Sequence, residues 1–211
     1  KPTVSLASLP SSTLTNGTMV LARITVTADA AEQVSLKAIQ WAVTKSNAGM
    51  LIANGGGQSA VREVGQGAHI SGTTTQSIGC ASNGGTACTF QSRFTSEQVI
   101  SAGASKTYEL VLTVAGAASN HSLITNIASD TDLVTGELAS VAVDADGVDD
   151  LDGTNAATAI YNFAWSDNSA IPHNDVSGAT DDAADAAASD DWTNGLYVEV
   201  LPTDAQSVLM P

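Results

Sequence analysis

The alternation of apolar and polar residues between positions 20 and 44 constrains the fold of this chain more than any other feature. In residues 20–27, apolar side chains alternate with Arg and Thr, which is the period of two of a half-buried β-strand. Residues 34–44 are predicted to form a second strand, but its apolar residues change face partway along. This phase change predicts a β-bulge or a strand that changes sheets at a corner, and it places Trp41 in the core of a sandwich.

The rest of the chain has the same short-strand character. Residues 106–114 give the cleanest alternation, with Glu109 on the outward face. Gly, Asn and Ser cluster between the apolar runs, as in turns that join short strands. Further strands are predicted at 50–52, 60–64, 87–94, 123–128, 137–143, 157–165 and 196–201, and one helical turn, capped by Ser96, is predicted at 96–99.

These elements predict an all-β protein, a single antiparallel β-sandwich of Greek-key or jelly-roll type. A chain of 211 residues is long enough to bury a core, and we expect one domain over residues 1–211. An extended segment at 1–15 precedes the strands, and long acidic loops at 144–153 and 167–191 are inserted between them. No apolar run approaches the roughly 20 residues of a membrane-spanning helix, so no membrane insertion is expected. Lys1 is expected to be a processed or trimmed start.

Charge is distributed unevenly along the chain. Residues 1–106 hold seven basic and four acidic residues, a net charge of +3, whereas residues 107–211 hold eighteen acidic residues and no basic one. The total of −15 argues against nucleic acid as a partner, because phosphates require a basic surface. A solvated acidic surface is one interpretation, and attraction between the basic part of one copy and the acidic part of another is the alternative.

The two cysteines, Cys80 and Cys88, flank a glycine-rich spacer that allows the chain to reverse. A redox pair would have a shorter spacing, and a metal site would need more ligands nearby. We therefore predict a disulfide and an oxidising, extracytoplasmic setting, with two free thiols as the alternative.

One acidic loop is the strongest candidate for a metal site. Its carboxylates alternate around glycines, and Ca²⁺ takes six to eight oxygen ligands in irregular loops. The match to the standard calcium loop is loose, since the glycine falls at the fourth position and no glutamate closes the loop. A solvated acidic turn is therefore the alternative, and the candidate ligands are Asp144, Asp146, Asp149, Asp150 and Asp152.

No catalytic motif is evident. The three histidines are isolated, there is no nucleophile elbow, and nothing singles out a pair of carboxylates for hydrolysis. We therefore expect no enzymatic activity. Asn16 and Asn120 each begin a tripeptide of the N-glycosylation type, which makes them candidate attachment points for glycans.

Several segments together resemble a β-sandwich module of predicted secreted surface proteins of candidate-phyla-radiation (Patescibacteria) bacteria. The resemblance implies an extracellular or cell-surface structural role and supplies no catalytic residues. The similar segments are 2–10 (PTVSLASLP), 20–29 (VLARITVTAD), 34–39 (VSLKAI), 101–110 (SAGASKTYEL), 165–167 (WSD) and 191–195 (DWTNG) followed by 201–202 (LP).

Three hypotheses for function follow. The first is a structural subunit of a pilus-like extracellular filament or a surface layer, a head-to-tail homopolymer formed by N-terminal strand addition through Val4, Leu6 and Leu9. The second is a calcium-binding, adhesin-like module of a larger surface protein, and a secreted hydrolase ranks last. For residues 1–10, pairing with the chain's own sheet is as well supported as donation to a neighbour, because Pro2 and Pro10 favour an edge strand.

Overall fold

The computed structural model describes residues 1–55, 58–130, 135–137, 162–168 and 191–211. These residues form two antiparallel sheets that pack face to face, which confirms the predicted all-β sandwich. The strands are β1 (Thr3–Leu6), β2 (Gly17–Thr27), β3 (Val34–Lys45), β4 (Leu51–Ala53), β5 (Val61–Glu63), β6 (Gly72–Gln76), β7 (Ala87–Ile100), β8 (Ser105–Ala115), β9 (Ser122–Asn126), β10 (Thr135–Glu137), β11 (Phe163–Ser166), β12 (Asp191–Thr193) and β13 (Gln206–Leu209), with short 3-10 helices at Ile78–Cys80 and Gly195–Tyr197.

The first sheet has the order β1-β2-β8, and β4 and β5 both pair with the far edge of β8. In the second sheet the order is β10-β12-β11-β3-β7-β6. On the β11 side of β3, strand β9 pairs with the second half of β3 and then with β13. The pairings β1-β2-β8 and β3-β9-β13 follow the A-B-E and C-F-G strand order of immunoglobulin-like sandwiches.

The N-terminal segment crosses from one sheet to the other. After β1, the chain runs to Leu14, whose N–H donates to the carbonyl of Leu209 at 2.9 Å, while the Leu209 N–H donates to Ser12 at 2.9 Å. These bonds make residues 12–14 a parallel neighbour of β13. The segment is therefore anchored at residue 12 onward by the second sheet, independently of β1.

The predicted phase change in β3 is a β-bulge. The register of β3 shifts at Lys37, between Leu36 and Ala38, against both of its neighbours β7 and β11. After the bulge, the side chains that point into the core are those of Ile39, Trp41 and Val43, and all three are buried. Trp41 lies in the core, as predicted.

Two local predictions are wrong, and a third, the outward face of Glu109, is right but did not include its burial. Residues 96–99 belong to β7 instead of forming a helical turn, because residues 98–100 pair with β3 beyond an irregularity at 94–97. Residues 196–201 are not a strand: a 3-10 helix runs through Gly195–Tyr197, and the Asn194 side chain accepts the N–H of Leu196. Glu109 lies on the outward face of β8 but is buried there.

The acidic loops are only partly described. The loop at 144–153, with its five candidate calcium ligands, lies outside the described residues, as do residues 169–190 of the second loop. Asp191, predicted as loop, begins β12. Strands described on either side of the loops belong to one sheet, as expected for insertions into a sandwich.

Candidate assembly site

Strand β1 is a short edge strand with one deeply buried side chain. It pairs antiparallel with β2, with Thr3 opposite Thr27 and Leu6 opposite Ile24. Of the three predicted assembly residues, Val4 is fully buried in the core, Leu6 remains 37% exposed, and Leu9 is partly buried against the core. Val4 is therefore the single apolar anchor of this strand.

The other edge of β1 contacts a segment from the far end of the sequence. The Val4 N–H donates to the carbonyl of Glu199 at 3.2 Å, and Thr3 and Glu199 form a parallel bridge. The Lys1 ammonium lies over the ring of Tyr197, 4.9 Å from its centroid. Strand β1 thus lies in a cleft with β2 as one wall and residues 197–200 as the other.

The second wall has an unusual backbone conformation. Val200 has φ = 69°, a left-handed value that is a true outlier for a β-branched residue. Such a conformation costs roughly 1–3 kcal/mol and persists only where the surroundings enforce it. The wall is therefore held in shape by contacts and not by local preference.

Asp130 provides part of that support. Its Oδ2 accepts the N–H of Gly195 at 2.7 Å, and its Oδ1 accepts the N–H of Asn162 at 2.9 Å. Burial raises the pKa of this carboxyl, while the backbone N–H donors oppose that rise. A Cβ at Gly195 would lie 2.7 Å from Leu201 Cδ1 and 3.1 Å from Asp130 Oδ2, so side chains pack closely around this glycine. Asp130 has no local sequence signal, because its partners are 32 and 65 residues away.

The connection between β1 and the anchored residues 12–14 is short. Ala7 still bonds to Arg23 of β2, and the Arg23 guanidinium donates to the Ser8 carbonyl at 3.1 Å. The Gln206 side chain donates to the Ala7 carbonyl at 2.7 Å. Residues 9–11, which include Pro10, therefore form the link between the two attachments.

A charged cluster covers the outer face of the first sheet beside this link. The Glu109 carboxylate of β8 accepts from Arg23 of β2 at 2.6 Å and from Arg62 of β5 on its other oxygen. Burial alone would raise the pKa of Glu109, but the two guanidinium groups outweigh it and lower the pKa. A second pair, Lys106 and Glu63 at 3.3 Å, lies nearby on the same strands.

The disulfide forms as predicted, at the end of the sandwich where β3 finishes. Cys80 and Cys88 are bonded and both are buried. Beside them the Lys45 ammonium is buried and donates to the carbonyls of Met50 at 2.7 Å and Ala81 at 3.1 Å. Lys45 therefore joins the disulfide loop to the turn before β4.

The other candidate residues are not brought together into a site. Asn16 and Asn120 lie on exposed turns. His69 bonds through Nδ1 to the Ser59 carbonyl and His121 accepts from Ala118. No group of three or more metal-ligating side chains occurs within the described ranges. Calcium binding by residues 144–152 stays a prediction.

No protein-family model matches this chain, and no curated protein is significantly similar to it. Among the described residues, no helix is long and apolar enough to cross a membrane.

Proposed function

We propose that this protein is a structural subunit of an extracellular filament or surface layer, and that it assembles head to tail by exchange of β1. The observation that carries the proposal is the cleft of β1. Strand β1 has one buried anchor, lies between two walls formed by β2 and residues 197–200, and is followed by a short link. The same strand inserted into the cleft of a second copy would make the same contacts.

Exchange changes the connectivity and leaves the contacts themselves unchanged. When β1 of one copy fills the cleft of the next, the donor and acceptor surfaces differ, and such a contact propagates unless it closes into a ring. The link at residues 9–11 spans at most about 10 Å when extended, so neighbouring copies would be in direct contact. Residues 12–14 stay bonded to β13 of their own copy.

The charge distribution favours the same arrangement. Strand β1 and Lys1 belong to the part of the chain with a net charge of +3, whereas the 197–200 wall belongs to the part with −18. In the contacting segments themselves, Lys1 is the one charged residue of 1–10 and Glu199 the one charged residue of 197–200. These opposite charges attract between copies as they do within one. Side-by-side contact of the two acidic parts would be repulsive.

The compartment is inferred from the cysteines and from similarity. A buried disulfide in a domain of this size is typical of oxidising, extracytoplasmic settings. The resemblance to the β-sandwich module of predicted secreted Patescibacterial surface proteins supports the same placement, and membership of that family is part of the proposal.

Deletion of residues 1–10 tests the proposal. We expect the truncated protein to be a folded monomer under conditions in which the full-length protein forms polymers, because the donor strand is missing while the cleft remains. Sedimentation velocity and negative-stain electron microscopy give the assembly state, and near-ultraviolet circular dichroism checks folding. A synthetic peptide of residues 1–10 should bind the truncated protein and raise its melting temperature.

Matched peptides sharpen this experiment. A peptide with Val4→Arg should fail to bind, because its buried anchor would carry a charge into the core. A peptide with Ser5→Arg should still bind, since Ser5 is exposed. Polymers formed by the truncated protein at the full-length concentration would show that β1 does not link the subunits.

A further inference from the structure

The two candidate glycosylation sites have different environments in the folded protein. The Asn16 carboxamide donates to the Ala117 carbonyl at 3.0 Å and accepts the Ala117 N–H at 2.9 Å. The hydroxyl group of Thr18, which a transferase must also recognise, lies 3.2 Å from that of Thr113. Asn16 therefore joins the start of β2 to the turn after β8. The Asn16 carboxamide and the Thr18 hydroxyl, which a transferase would recognise, are both hydrogen-bonded.

Asn120 is exposed at the tip of the turn between β8 and β9. Its φ of 66° is a left-handed value that Asn tolerates better than most residues. The backbone of this turn is fixed, because the Asn120 N–H donates to Met210 and the Met210 N–H donates to His121, each at 2.9 Å. No residue in the described part of the chain bonds to the Asn120 carboxamide. A hydrogen-bonded turn thus presents an amide without a partner among the described residues.

We propose that Asn120 is an N-glycosylation site and that Asn16 is a structural residue that is not modified in the folded protein. The donor would be an oligosaccharide linked through pyrophosphate to a lipid. In the transfer, a bond forms between Nδ2 of Asn120 and C1 of the first sugar. The bond from C1 to the pyrophosphate breaks, the lipid pyrophosphate leaves, and the amide proton passes to a base of the transferase.

Asn120 lies far from the start of β1 but near the anchored end of the link, since its backbone partner Met210 follows Leu209, which bonds to residues 12 and 14. Strand β2 begins beside the 116–120 turn and ends at Thr27, which is opposite Thr3 of β1. Eleven residues of strand at about 3.3 Å each separate the two ends by roughly 35 Å. A glycan on Asn120 would therefore stand at the end of the sandwich away from the start of the donor strand.

The test compares folded and unfolded protein with one transferase. A single-subunit oligosaccharyltransferase and its lipid-linked oligosaccharide are selected by a first assay, which requires that they modify both tripeptides in the reduced, unfolded chain. With the folded protein, glycopeptide mass spectrometry should find modification at Asn120 at least tenfold faster than at Asn16. The purified components make this test independent of the compartment and of polymer formation.

Variants in the folded protein provide the controls. Asn120→Gln and Ser122→Ala should each abolish modification, whereas Asn16→Gln should leave it in place. Equal rates at Asn16 and Asn120 in the folded protein would overturn the proposal. An unmodified Asn120 in the folded protein would also overturn it, because the same transferase modifies that residue in the unfolded chain.

Discussion

Lys45→Met should lower the free energy of unfolding by about 3 kcal/mol and the melting temperature by roughly 6–12 °C. Lys45 points inward at the end of β3, and its buried ammonium donates to carbonyls of two separate segments, at Met50 and Ala81. Methionine fills a similar volume but donates no hydrogen bond. Each carbonyl left without a donor in the interior costs about 1–3 kcal/mol, partly offset because an ammonium group is no longer buried.

Thermal and urea unfolding measure this change, and a control is available on the same strand. Lys37 donates to the Thr95 carbonyl at 3.1 Å, but this contact is exposed. Lys37→Met should change stability by about 0.5 kcal/mol or less. Melting temperatures of the two variants that agree within error would show that the Lys45 contacts do not hold the disulfide loop in place.

Glu109→Gln should destabilise the protein by about 2 kcal/mol at neutral pH, the second largest effect expected. The Glu109 side chain is only 3% exposed and its two oxygens accept from Arg23 and Arg62, whose side chains are 22% and 33% exposed. Glutamine keeps the shape but leaves two adjacent guanidinium groups without a carboxylate between them. The partial exposure of both arginines keeps the cost below that of a fully buried pair.

The pH dependence identifies the carboxylate as the cause. The pKa of Glu109 is lowered in the folded state, so its contribution is present above the unfolded pKa of about 4.3 and is lost as pH falls through the folded value. The difference between wild type and Glu109→Gln should therefore shrink below about pH 4. As a control, Glu63→Gln removes the more exposed pair with Lys106 and should cost under about 1 kcal/mol. A difference that stays constant down to pH 2 would contradict this explanation.

The parts of the fold that sequence could predict are those set by local periodicity. Alternation in β2, β3 and β8 requires one buried face, and the phase change at Lys37 can be explained only by a bulge or a corner. The disulfide was predictable because only seven residues, two of them glycines, separate its cysteines. In each of these cases the decisive partners are neighbours in the sequence.

The parts that sequence could not predict depend on distant partners. Glu109 occupies a polar position in the alternation of β8, which predicts exposure. It is buried by Arg23 and Arg62, which are 86 and 47 residues away in the sequence. Strand β6 has the sequence GTTTQ, which shows no alternation of apolar and polar residues. Its position in the sheet is set by pairing with β7. Residues 196–201 alternate like a strand, but Val200 adopts a left-handed conformation.

The assembly site combines residues that local periodicity marks with residues that only distant contacts define. Periodicity marked Val4, Leu6 and Leu9 equally, whereas the structure gives only Val4 a fully buried position. The cleft wall at 197–200 and its support from Asp130 have no local sequence signal. The wall meets β1, and Asp130 meets Asn162 and Gly195, only in the folded chain.

A cross-linking measurement tests strand exchange most directly. Ser5 and Thr25 are opposite each other on β1 and β2, at a Cα separation of about 5.5 Å for such a pair, which a disulfide can bridge. The native cysteines are bonded to each other and do not interfere. Two single variants, Ser5→Cys and Thr25→Cys, are mixed, allowed to assemble, oxidised and separated on a non-reducing gel. Thr73→Cys, exposed on the second sheet, replaces Thr25→Cys as the control.

Exchange of β1 predicts a covalent dimer that links Ser5→Cys of one copy to Thr25→Cys of another, forms only in assembled material and is absent with the Thr73→Cys control. The double variant, oxidised as a monomer, should be closed within one chain and should no longer polymerise. Assemblies that form normally while the mixed variants give no more dimer than the control would contradict strand exchange as the link between subunits.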